Sequence, residues 1–230
     1  MQGQHERQTP EGVCRISRIT PTKKGRFALF CEEEFLFSVD DETLVKYHLK
    51  EGSSLSGEEL ASVRTASETR KAKNKAFEYL SLRDYACTEL YQKLCLKFDP
   101  HSAAAAVAEM QRLELLDDEA FARHRAAYLA GKGKSRREIQ LALQRLGIAR
   151  ETAEDALEAA PLDERQAIRA LIERQYRQKL LAGKRENVLA ALARRGFSIS
   201  DCRAALCEAE EHLKEENETD ETCNDKPGLP

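Results

Sequence analysis

A chain of 230 residues that is 41% hydrophobic and 33% charged can build packed cores and must carry an unusually charged surface. Trp is absent and aromatics make up 6%, so Ala, Leu and Ile are left to pack helix against helix. Residues Met1 to Glu11 are polar with no apolar leader core, and no run approaches membrane-spanning length, so a cytoplasmic protein is expected rather than a secreted or membrane-inserted one.

In chain order, residues 1–12 read as disordered, and 13–56 as a small β-containing segment. Val13 to Ile19, Arg26 to Cys31 and Phe35 to Val39 are short runs rich in β-branched and aromatic residues, separated by the turn Pro21 to Gly25 and the link Glu32 to Glu34. They predict an antiparallel hairpin or meander. Asp40 or Asp41 can cap a short helix ending near Leu49, and Ser56 with Glu59 forms a capping box for the next. So small a sheet must lean on those helices.

From residue 57 the pattern is helical almost without a break. Helices are predicted near 57–80, 83–97, 101–115, 118–131, 135–146, 149–159, 162–181, 185–195 and 199–214. Ser81, Ser135 and Ser198 each precede an acid by three residues, and Asp99 precedes Pro100, all patterns of helix starts. Leu90, Ile139 and Val188 are spaced by 49 residues, as are Leu94, Leu143 and Leu192. Gly147 and Gly196 share that interval, where a left-handed residue would end one helix and turn the chain into the next. Units repeating at this period share cores with their neighbours. The predicted architecture is mainly α: tandem three-helix repeats in an elongated array, at 57–116, 117–160 and 161–214, then a disordered acidic tail at 215–230.

The formal charge of −3 conceals an asymmetry. Residues 208–230 carry nine acids against Lys214 and Lys226, leaving a body of net charge +4. Two acid-free stretches stand out, 123–137 with Arg123, Arg125, Lys132, Lys134, Arg136 and Arg137, and 174–185 with Arg174, Arg177, Lys179, Lys184 and Arg185. With Arg194 and Arg195 they form the candidate contact surface for an anionic partner, phosphate backbone or acidic protein; a plain solvated helix face is the simpler reading of any one cluster. Tyr79, Tyr128 and Tyr176 follow the packing columns and read as core rather than as base-stacking residues.

Catalysis has little support. The seven cysteines, Cys14, Cys31, Cys87, Cys95, Cys202, Cys207 and Cys223, lack a Cys-x-x-Cys pair and a His at zinc spacing, and read as reduced, mostly buried thiols. No nucleophile motif or phosphate-cradling glycine loop is present, so no metal and no cofactor are expected.

The segments 83–94 (RDYACTELYQKL), 116–123 (LDDEAFAR), 134–139 (KSRREI) with Leu143, Gly147 and Ile148, and 194–197 (RRGF) together resemble the RecX regulatory proteins of bacteria. The resemblance spans roughly residues 13–213 and resides in the order and spacing of motifs that are individually short. It implies a non-enzymatic monomer of tandem three-helix units that binds the RecA recombinase and its filament on single-stranded DNA. It also implies inhibition of recombinase, ATPase and coprotease activity in DNA repair and the SOS response, with weak direct DNA binding as a further expectation. Arg125, in the middle of the stripe from Phe121 to Leu129, departs from the family's aromatic preference; either its stem packs while its head reaches water or the helix is rotated. The acidic tail is a second departure. The alternative function is a helix-turn-helix reader of specific DNA sequences, against which the candidate third helices at 149–159 and 199–214 are acidic or neutral.

Overall fold

The structure, a computed structural model, describes residues 13–23 and 25–223, with side chains as far as Glu215. Of the segments expected to be disordered, 1–12 and 215–230, residues 1–12 and 224–230 lie outside the described ones, whereas 215–223 are helical in backbone. The chain divides into two compact units between Leu116 and Asp117.

In the first unit, β1 (Cys14–Pro21), β2 (Phe27–Cys31) and β3 (Glu34–Val39) form the expected antiparallel meander. A two-residue strand, β4 (Ser54–Leu55), adds to β1 and completes the order β3-β2-β1-β4. Between β3 and β4 lies α1 (Asp41–Lys46), whose N-cap is Asp40, its carboxylate accepting from the Thr43 N–H at 2.9 Å. The long α2 (Gly57–Leu80) begins at the Ser56–Glu59 capping box, with both reciprocal bonds formed. Its first half gives Leu60 and Val63 to the core under Ile16, Leu29 and Val39; its second half gives Ala72 and Ala76 to a core shared with α3 (Cys87–Cys95) and α4 (Pro100–Arg112). One helix therefore supports the sheet and also opens the first helical triplet. Arg26 reinforces the first junction, its guanidinium donating to the Ser38 carbonyl at 2.7 Å and the Ser67 hydroxyl at 2.6 Å beside Asp40.

The helix expected from residue 83 starts later, at Cys87, with no side-chain cap. Ser81 instead closes α2, its hydroxyl donating back to the Glu78 carbonyl at 2.9 Å.

In the second unit, α5 (Asp118–Gly131), α6 (Arg136–Arg145) and α7 (Arg150–Ala159) pack through Ala122, Ala126, Ile139, Leu143, Ala153 and Ala156, all at most 1% exposed. Arg125 is exposed. The helix is rotated: α5 turns its small alanines inward, which lets it approach α7 closely, and Phe121 and Leu129 sit half-buried at the edges. The same rotation carries Tyr128 out of the core to 55% exposure, so its reading as a packing residue is corrected.

The third triplet starts from α8 (Glu164–Leu171), capped by Asp163, and passes through a π-helical turn (Ile172–Tyr176) into α9 (Arg177–Leu181). Ile168, Ile172, Tyr176 and Leu180 recur every four residues, and all face the core. In a pure α-helix that spacing drifts by roughly 40° per step, and the wider π turn takes up the drift. They pack with Val188 and Leu192 of α10 (Arg185–Arg194) and with Cys202, Ala205 and Leu206 of α11 (Ile199–Cys223). The backbone of α11 stays helical to Cys223, beyond the end expected at residue 214.

Candidate functional site

The turn at residues 194–196 links the two acid-free stretches, touching Ser135 and Arg137 on one side and Gln175 and Tyr176 on the other. Ser135, the N-cap of α6, is completely buried; its oxygen accepts from the Glu138 N–H at 3.2 Å and its hydroxyl donates to the Arg195 carbonyl at 2.7 Å. Gly196 sits at φ +90°, and a β-carbon there would lie 2.9 Å from both the Arg137 Cβ and the Ser135 Oγ. The stem of Arg137 is thus laid along the turn that carries Arg194 and Arg195. The backbone N–H of Arg136 donates to a Glu164 oxygen at 2.6 Å, tying the start of α6 to the start of α8.

Arg195 extends the patch toward α9. Its guanidinium donates to Gln175 Oε1 at 2.8 Å and lies 5.9 Å from the Tyr176 ring, whose other cation, Lys179, is at 5.6 Å. Arg136, Arg137, Arg174, Lys179, Lys184 and Arg194 are exposed, and none is drawn into a side-chain ion pair among the described residues. Lys132 is likewise exposed, 5.5 Å from the centre of the Tyr128 ring.

Other candidates are already paired within the chain. Arg123 pairs with Glu119 at 3.7 Å, Lys134 with Glu138, and Arg177 with Glu173 at 2.9 Å. Arg185 is held by Glu210, and its guanidinium also donates to the Cys207 sulfur at 3.2 Å, so it serves the packing of α10 on α11. Acids of α11 likewise hold Arg169 through Glu208 at 2.6 Å and Arg165 through Asp201 at 3.5 Å. These pairs divide the basic residues of the third triplet: those facing α11 are neutralised, and those near the Ser135–Arg195 junction retain their field. Arg125, a member of the acid-free stretch 123–137, is exposed and lies 5.7 Å from the Tyr128 ring.

Among the described residues no group of His, Cys, Asp and Glu is arranged to hold a metal ion, and no helix is long and apolar enough to cross a membrane. Cys14 and Cys202 are buried, Cys31, Cys87 and Cys95 half-buried, and Cys207 exposed, all as free thiols. On α7, Glu151, Asp155 and Glu158 are exposed and present a face that repels phosphate.

Two family models match the chain: "Regulatory protein RecX N-terminal domain" over residues 15–56, and "RecX, second three-helix domain" over residues 117–157. A regulatory protein RecX of Geobacillus kaustophilus (strain HTA426) is 31% identical over 188 residues, covering 78% of this chain and 69% of the relative. One from Bacillus subtilis (strain 168) is 28% identical over 214 residues, covering 88% and 80%. A crystal structure of a regulatory protein RecX superposes with a TM-score of 0.63 at 23% identity, over 82% of this chain and 96% of that one, and so shares the fold.

Proposed function

The chain belongs to the RecX family of regulatory proteins, and from that premise we propose that it binds the RecA recombinase and its filament on single-stranded DNA and restrains the filament's ATP hydrolysis, strand exchange and coprotease activity. Its setting is DNA repair and the SOS response, in the cytoplasm, as a monomer with no catalysis or cofactor of its own. The observation that carries the reading to particular residues is the junction at which Ser135 joins Arg195, since it gathers Arg136, Arg137 and Arg194, exposed and outside any side-chain ion pair among the described residues, beside the half-buried Arg195. A surface of one sign steers association with an oppositely charged partner and weakens as salt screens it.

The test is RecA's ATP hydrolysis on single-stranded DNA at fixed filament concentration while this chain is titrated in. Hydrolysis should fall to a plateau, at lower protein concentration in low salt than in high. Hydrolysis that stays constant through saturating protein would refute the reading.

A further inference from the structure

Tyr128 has no packing role that accounts for it. The inner face of α5 is made by Ala122 and Ala126, which leaves the ring on the outer face at 55% exposure. Arg125 and Lys132 stand three residues before and four after, the spacings that share a helix face, with their charged groups 5.7 and 5.5 Å from the ring centre. Neither cation is in an ion pair among the described residues, although Arg123 and Lys134 nearby are both paired with carboxylates. A lone exposed aromatic is unremarkable; one flanked by two unneutralised cations on long stems combines a π face with charge that can swing outward.

We propose that Tyr128 is a nucleobase-stacking residue and that, with Arg125 and Lys132, it forms a contact site for single-stranded DNA on the outer face of α5. The ring offers its face to an unpaired base, and Arg125 and Lys132 move from the ring to the flanking phosphates. Such a site is indifferent to sequence, because every base has a π face. It suits a single strand because a duplex keeps its bases stacked on one another. An acidic protein surface would engage the two cations equally well but would leave the ring without a role, so the combination favours nucleic acid. The site goes beyond the filament reading, and it is probed with DNA alone so that either can fail without the other.

The experiment measures binding of the full chain to a fluorescent oligothymidine in the absence of RecA, beside a strand of equal length built of abasic residues. Tyr128→Ala should weaken oligothymidine binding about 5- to 150-fold, the range seen when a stacked aromatic is truncated, while Tyr128→Phe stays within about twofold because the π face is kept. On the abasic strand the parent and Tyr128→Ala should bind alike. Tyr128→Ala should leave the salt dependence unchanged, and Arg125→Gln or Lys132→Gln should each flatten its slope by roughly 0.7. Equal oligothymidine binding by Tyr128→Ala and the parent, an equal loss on the abasic strand, or no binding of the parent to either strand would overturn the proposal. A loss seen only with RecA filaments would also overturn it, in favour of a protein contact.

Discussion

The Ser135 hydroxyl, completely buried, donates a 2.7 Å hydrogen bond to the carbonyl of Arg195, 60 residues away. A helix cap is thereby also a tether: the oxygen that starts α6 fixes the turn between α10 and α11, and the arginines on both segments are brought onto one surface. Gly196 completes the junction because no side chain fits between that turn and Arg137.

Substituting Gly196 tests this packing. Gly196→Ala must place a β-carbon 2.9 Å from Arg137 Cβ and Ser135 Oγ while holding φ at +90°. Strain and overpacking together should lower stability by about 1–3 kcal/mol. Urea denaturation reads this directly; a midpoint equal to the parent's would mean that the turn relaxes freely.

Leu143 lies at 0% exposure in the 49-residue column that also holds Leu94 and Leu192. Leu143→Ala leaves a cavity among α5, α6 and α7 and should cost about 2–5 kcal/mol. Retention of the parent's stability in denaturant titration would contradict the shared core.

Those columns were legible because a repeated unit must bury the same positions each time, and Leu90, Ile139 and Val188 are all fully buried. Family membership and the mainly α fold were legible for the same reason, as were caps such as Asp99 and Ser135, whose signals are local. Tyr128 was not, because Phe121, Arg125 and Leu129 define one stripe on α5 and Ala122 with Ala126 another; only the approach of α7 decides between them. β4 is too short to show a period, and the π turn shows only in the strict four-residue spacing of Ile168 to Leu180. Of the candidate surface, the sequence shows which stretches lack acids locally. It does not show that Glu210 reaches Arg185, or that Ser135 meets Arg195, since both are contacts of distant residues.

Thiol chemistry should separate the cysteines. Burial above all, then the neighbouring Cys31, pushes the Cys14 thiol up to about 12, against an ordinary value of 9.0. The folded chain therefore holds a proton there that the unfolded chain releases, so this group's contribution to stability is full below pH 9 and is lost as pH rises toward 12. Iodoacetamide at pH 8 should modify exposed Cys207 and spare Cys14 in the native protein, with Cys14 reacting only in denaturant. Mass spectrometry showing early native modification of Cys14 would contradict its burial.

Whether the surface joined at Ser135 and Arg195 engages the RecA filament is decided by cosedimentation with RecA filaments on single-stranded DNA. Parent protein and a double charge reversal, Arg136→Glu with Arg194→Glu, are compared at low salt, both side chains being exposed and free of ion pairs among the described residues. The parent should pellet with filaments and be released as salt rises. The reversed protein, with an unchanged melting curve, should stay largely in the supernatant. A reversed protein that pellets as fully as the parent across the salt range would contradict engagement through this surface.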